Sequence, residues 1–297
     1  MNALQRLSEI QELPTLPEMA LRIRALIYSD ESDATILAKL IEQDPALSAK
    51  ILKVANSSLY SPEKKISSIK LAVTRIGFNE VGHIALAISM IKKFSRTSDL
   101  LDYKQFWRHS LAAAYLCAMS GSAGVNKSLS SIDSHILFLA GLFHDIGILI
   151  YDQYFHDEFE KIMKFAFEKE LSFLEAEKEL CNGENHTLFG AALLELWKID
   201  LQIVSGVRYH HQPENAPQNF SLISSATYLS EYILCNSGLG HFEGSIPYGN
   251  KTAMEILQLS PQIASRFMNL AEYEVERSDL VTALDSESSF SSQLRTI

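Results

Sequence analysis

Histidine carries most of the chemical information in this chain, and there are nine of them. When the apolar residues are laid out at helical spacing, five histidines fall on inward faces. His109 shares a face with Phe106, Ala113 and Leu116. His144 lies with Leu137, Ala140 and Gly141, and His186 with Phe189, Gly190, Leu193 and Trp197. His210 lies with Ile203, Gly206 and Val207, and His211 follows Val204 and Val207. Of the others, His156 follows Asp152 and Gln153 and is expected to be exposed, His241 sits among glycines, and His83 and His135 have mixed faces. A buried neutral imidazole must satisfy its ring nitrogens. One such ring is ordinarily satisfied by a backbone carbonyl. Five in one region are explained together by metal coordination, because neutral imidazole is the commonest protein ligand for metals.

Asp145 directly follows His144. Neighbours on an ideal helix diverge by about 100° and do not share an ion. At a helix end the backbone turns and both can converge, and Gly147 permits such an ending. His210 and His211 are also adjacent, with Pro213 close behind, so their helix is expected to stop near Gln212. Two adjacent pairs at two helix ends, with one histidine from each of two more helices, would surround one or two ions.

The elements that must hold these residues are helices. Apolar residues recur at three and four, as in Ile36, Leu40 and Ile41, or Leu47, Ile51 and Leu52. Asp44-Pro45 has the form of an N-cap followed by proline at the first helical position, and Ser172 to Glu175 that of a capping box. No Asn-Gly or Asp-Gly hairpin signal occurs, so the expected class is all-α with about a dozen helices. An N-terminal helical lobe is expected over residues 1–98 and a second lobe over 99–235. Residues 236–297 are expected to form a glycine-rich loop, one or two helices and a serine-rich tail that frays.

Composition limits the function. With 47% hydrophobic residues in 297, the chain has material for a core and is not of the disordered class. A net charge of −10 repels phosphate backbones, so no nucleic-acid partner is expected. Cys117, Cys181 and Cys235 are far apart, which excludes a CxxC zinc ribbon and favours reduced thiols. The stretch from Ile132 to Tyr151 is strongly apolar but holds Asp133, His135, His144 and Asp145, so it is expected to be a buried helix pair rather than a membrane span. No apolar leader segment is visible at the N-terminus, and a cytoplasmic location is expected. No GxSxG, Walker A or GxGxxG pattern occurs, leaving serine hydrolysis and nucleotide-driven switching unsupported. Lys64-Lys65 and the Glu272, Glu274, Glu276 run are expected to be solvated, and Trp107 and Trp197 to pack in the core.

The segment Phe143-His144-Asp145-Ile146-Gly147, with His109 upstream and His186 and His210-His211 downstream, resembles the HD superfamily of metal-dependent phosphohydrolases. Leu13-Pro14-Thr15-Leu16-Pro17, Glu42-Gln43-Asp44-Pro45-Ala46-Leu47, Ala55-Asn56-Ser57-Ser58-Leu59-Tyr60 and Ala72-Val73-Thr74-Arg75-Ile76-Gly77 narrow the resemblance to HDOD, the HD-related output domain of bacterial signalling proteins. It covers about residues 8 to 235. The resemblance implies an all-α fold with a helical lobe packed on an HD-like lobe, and a role in bacterial regulation. HDOD proteins often lack the metal ligands; this chain keeps several.

One ion would be held by His109, His144 and Asp145, and a second by His186, His210 and His211, with Asp145 bridging and assigned to catalysis. Iron, manganese and zinc all suit these ligands. Arg208 is the candidate for orienting a phosphate. Three departures stand out. HD hydrolases close their ligand set with an Asp on a later helix, where Thr227 stands here. Ile148 replaces the lysine that usually follows HDIG in the cyclic-di-GMP phosphodiesterase branch, and that branch's Gly-Tyr-Pro signature is missing. A typical cyclic-di-GMP phosphodiesterase is therefore rejected. The favoured expectation is a regulatory protein that uses the HD-like lobe for sensing or protein interaction, with protein partners and a small phosphorylated ligand. The alternative is a metal-dependent phosphohydrolase acting on a phosphomonoester or nucleotide.

Overall fold

The computed structural model describes residues 3–10, 16–29, 33–56, 64–91, 94, 100–122, 128–236, 250–258, 262 and 265. The glycine-rich loop, His241, the acidic run at Glu272–Glu276, almost all of the expected last helix and the serine-rich tail lie outside these residues, as do most of the connection at 95–101 and parts of the resembling segments at 13–15 and 57–60. Among the described residues the structure is all-α, with no strand.

The chain divides into two compact units. One contains residues 14–95, and its described part is built from α2 (Glu18–Ile27), α3 (Ala34–Glu42), α4 (Pro45–Ala55), α5 (Ile69–Ile76) and α6 (Phe78–Ile91). Asp44 caps α4 by accepting from the Leu47 amide at 2.9 Å, with Pro45 at the first turn as expected. Leu37, Leu40 and Ile41 are the buried face of α3, whereas Ile36 is exposed, which shifts that stripe by one residue. Asn56, just past α4, pins the next segment: its amide accepts from the Ile66 N–H and donates to the Ile66 carbonyl, both at 2.8 Å. The helix α6 is buried over most of its length and packs against α2 and α4.

The other unit contains residues 1–13 and 96–273. It holds α1 (Ala3–Ser8), α7 (Tyr103–Ser122), α8 (Ser134–Phe143), α9 (Ile146–Tyr154), α10 (His156–Lys169), α11 (Phe173–Leu180), α12 (His186–Leu196), α13 (Leu201–Tyr209), α14 (Ser221–Asn236) and α15 (Lys251–Leu257). The expected N-terminal lobe began at residue 1. Instead α1 packs on α12, and Arg6 explains the attachment. Its guanidinium pairs with Glu158 at 2.6 Å and Glu184 at 2.9 Å and lies 4.2 Å from the centre of the Phe155 ring.

The packing of α7 on α8 is close because Gly141 has no side chain. A Cβ there would meet the Ala113 carbonyl oxygen at 2.5 Å. The stretch Ser134–Tyr154 is the one described segment long and apolar enough to cross a membrane, and it is buried inside the protein from His135 to Asp152. It is two helices, α8 and α9, meeting at Asp145. Trp107 and Trp197 are buried, as expected.

Candidate metal centre

The helices of the larger unit converge their chemistry at the α8–α9 junction. His144 ends α8 with helical backbone angles, and Asp145 turns the chain at φ −101° and ψ 11° before α9 begins. That turn brings two adjacent side chains to one place, with His144 Nε2 and Asp145 Oδ2 3.1 Å apart. Gly147 does not end a helix. It lies in the first turn of α9, where a Cβ would sit 1.9 Å from the His186 carbonyl oxygen. The glycine therefore lets α9 approach α12 and sets Asp145 beside His186. The helix α13 stops at Tyr209, ahead of Pro213, and places His210 and His211 just beyond its end. His186 is the first residue of α12, which Asn185 caps by accepting from the Leu188 amide at 3.1 Å.

All five inward histidines meet Asp145, and Asp145 divides them. Its Oδ2 lies 3.1 Å from His144 Nε2 and 3.8 Å from His109 Nε2. Its Oδ1 lies 3.3 Å from His186 Nε2 and 3.4 Å from His210 Nε2. His211 Nε2 completes the second group, 3.1 Å from His186 Nε2. The ligand atoms of Asp145, His186, His210 and His211 all lie within 4.8 Å of one another. The same holds for His109, His144, Asp145 and Glu231.

Glu231 was not anticipated. The expected last ligand position, Thr227, is filled otherwise: its hydroxyl donates to the Ile223 carbonyl of its own helix at 2.9 Å. One turn later on α14, Glu231 Oε2 reaches His109 Nε2 at 2.8 Å and His144 Nε2 at 3.1 Å. Its Oε1 accepts from the Cys235 thiol at 3.0 Å. A carboxylate thus does stand beside these rings, on the helix where it was expected but four residues further on. The available signal was the i, i+4 spacing from Thr227, which puts Glu231 on the same face.

The rings are oriented from behind. His144 Nδ1 donates to the Gly141 carbonyl and His210 Nδ1 to the Val207 carbonyl, each at 2.7 Å. A carbonyl only accepts, so these protons sit on Nδ1 and the Nε2 atoms are left to face inward. His186 Nδ1 is held at 2.6 Å by the buried carboxylate of Glu177, a second residue that was not anticipated. With Nδ1 protonated in His144 and His210, their inward Nε2 atoms face carboxylate oxygens, and either a proton or a metal cation between the two satisfies both. The buried Nε2 of His210 has no hydrogen-bond partner.

The electrostatics show the same demand. Burial pushes His144 down, but the carboxylates of Asp145 and Glu231 outweigh it and hold the imidazole well above its usual range. Burial likewise opposes His186, which Glu177 and Asp145 raise to about 10. Burial pushes Asp145 and Glu231 up, yet the surrounding histidines hold both well below the usual carboxylate range. Burial and neighbouring positive rings depress His210 and His211. The cluster favours ionised carboxylates with cationic charge among them. This mixed nitrogen and oxygen donor set fits iron, manganese or zinc.

Arg208, the candidate for orienting a phosphate, is paired on the surface in this structure. Its guanidinium donates to Glu195 at 2.7 Å on a partly exposed surface. His156 is exposed, as expected from its neighbours.

The family model of the HDOD domain matches residues 13–213. The chain belongs to the HDOD family. An HDOD domain protein of unknown function from Geobacter sulfurreducens is 26% identical, with a TM-score of 0.72 over 95% of this chain and 96% of that one. A protein from Shewanella amazonensis, named as a candidate phosphohydrolase, has a TM-score of 0.73 at 19% identity, covering 95% of this chain and 97% of its own. In sequence, an uncharacterised protein of Treponema pallidum is 24% identical over 240 residues, 80% of this chain. The chain spans less than half the length of that curated relative, 44%.

Proposed function

We propose that this HDOD protein is a regulatory protein of bacterial signal transduction whose HD-like lobe is a two-ion centre. The observation that carries this reading is the division of Asp145: one oxygen faces His109 and His144, the other His186 and His210. His109, His144 and Glu231 would hold one divalent ion, His186, His210 and His211 the other, and Asp145 would bridge them. Signals pass to and from such a domain through protein partners or a small phosphorylated ligand. Its acidic balance does not suit a nucleic acid.

Metal-dependent hydrolysis of a phosphomonoester or nucleotide is the second reading, and Glu231 favours it by completing the ligand set that Thr227 left open. A bound pair of ions would supply an acidified water and charge neutralisation on phosphoryl oxygens. The protein's own part is to fix the pair and admit the substrate. Glu231, whose side chain is 15% exposed, and the half-buried His211 are the edges that solvent reaches, whereas His109, His144 and His210 are fully enclosed. Each ion would receive four protein ligands. A metal held by these four donors would supply Lewis-acid chemistry at the site, and iron, manganese and zinc all suit such a nitrogen and oxygen set. The phosphohydrolase name of the Shewanella amazonensis relative accompanies a likeness of fold alone, so hydrolysis rests on the ligand set.

The test is elemental analysis of protein purified without chelator or affinity metal, followed by phosphatase and phosphodiesterase assays of the loaded protein. Two equivalents of metal per chain without turnover above an Asp145→Ala background overturn the hydrolase and leave the regulatory reading standing. Turnover that requires metal and Asp145 establishes the hydrolase. A folded parent that takes up no iron, manganese or zinc overturns both.

A further inference from the structure

The two halves of the centre are unlike. One has two imidazoles and Glu231 beside Asp145; the other has three imidazoles and only the shared carboxylate. Behind the all-imidazole half stands Glu177, fully buried on α11. The start of that helix is fixed by the capping box of Ser172 and Glu175. Glu177 Oε2 accepts from His186 Nδ1 and Oε1 accepts from the His186 backbone N–H, both at 2.6 Å. The two bonds lock different parts of the same residue. One fixes where α12 starts, and the other fixes the rotation of the ring about its own axis.

His144 and His210 are held from behind by neutral carbonyls of their own helices. His186 alone among these three is held by a carboxylate, and that carboxylate comes from another helix. A carboxylate behind an imidazole raises the basicity of the opposite nitrogen, here the Nε2 that faces Asp145 Oδ1 at 3.3 Å. The half that lacks a carboxylate ligand of its own thus gains negative charge through His186.

We propose that Glu177 is the positioning residue of the His186–His210–His211 half, orienting His186 and supplying through it the charge that Glu231 supplies directly to the other half. The proposal rests on the two-ion reading. Only a carboxylate serves both bonds. In Glu177→Gln the amide oxygen can accept from one His186 N–H, while the amide NH₂ is turned against the other donor at nearly unchanged volume.

The experiment compares the full-length parent with Glu177→Gln by competitive chelator titration with manganese and zinc, beside NMR of the metal-free parent. Glu177→Gln is expected to weaken one of the two ions by about 10–100-fold and to leave the other within about twofold. In the metal-free parent, His186 is expected to show a strongly downfield, slowly exchanging Nδ1 proton. Two ions bound by Glu177→Gln with parental affinities overturn the proposal and leave the two-ion reading standing. Equal weakening of both ions also overturns it, since that marks a merely structural role. If Glu177→Gln does not fold, a folded parent without the downfield His186 proton overturns it. A parent that binds no ion removes the two-ion reading and this role with it.

Discussion

The two halves of the Asp145 cluster each gather four donor groups, by different chemistry. In one, the carboxylate is in direct contact: Glu231 Oε2 lies 2.8 Å from His109 Nε2. In the other, all three unshared ligands are imidazoles, and the added carboxylate, Glu177, stands one residue behind. A direct carboxylate is a hard, anionic ligand and suits manganese or iron. An all-imidazole half suits zinc or iron. On the proposed reading, charge at this buried site would be supplied through the His186 ring in one half and directly by Glu231 in the other.

The comparison breaks most completely at Asp145, the one residue both halves share. Asp145→Ala is expected to abolish stoichiometric uptake in both halves, read by elemental analysis; retention of even one full equivalent would show that the halves do not depend on a bridge. Next come variants that remove one half each. Glu231→Gln should cost its ion more than about 100-fold in affinity, because an anionic ligand is lost and Asp145, shared with the other half, is the one carboxylate left beside its buried rings. His211→Ala should cost the other ion less, since two imidazoles and Glu177 remain. Chelator competition checks the order, and a reversed order would mean that Glu231 is not a ligand.

pH sharpens the same contrast. In the metal-free protein the raised His186 stabilises the fold fully below about pH 6.5, its ordinary value, and that contribution is lost as pH rises through about 10. The raised His144 acts in the same direction. The depressed Asp145 and Glu231 stabilise above the ordinary carboxylate range, and their contribution is lost as pH falls through their lowered values. Ion binding displaces the imidazole protons, so uptake strengthens with pH while the metal-free fold weakens. The gap in Tm between loaded and metal-free protein is expected to widen from pH 6.5 to 9; a constant gap would mean that protons and ions do not compete. The smallest effect is expected at Arg208. Its partner is the surface residue Glu195, so Arg208→Ala should leave metal content unchanged and alter stability by less than about 1 kcal/mol in a thermal melt.

Much of this was legible in the sequence because adjacency and punctuation are local. His144-Asp145 and His210-His211 mark helix ends, Pro213 stops α13, and Asp44-Pro45 and Ser172–Glu175 mark helix starts; the structure places all of them so. The five inward histidines followed from helical phase. What escaped depends on which helices meet. Glu231 lies one turn beyond Thr227, and only the position of α14 against α7 and α8 decides which of the two faces the rings. Glu177 carries no motif, and its role appears only when the loop between α11 and α12 folds back. Gly147 was legible as a special position, but its reason, the His186 carbonyl against α9, lies 39 residues away in the chain. The grouping of α1 with the larger unit depends on Arg6 meeting Glu158 and Glu184, which no local pattern announces.

The most direct measurement is anomalous X-ray diffraction from crystals of the full chain grown with manganese or iron, recorded at the metal absorption edge. The account predicts two peaks, one beside each carboxylate oxygen of Asp145, the first among His109, His144 and Glu231 and the second among His186, His210 and His211. A single peak, or none in a crystal whose side chains keep the arrangement described, would contradict it.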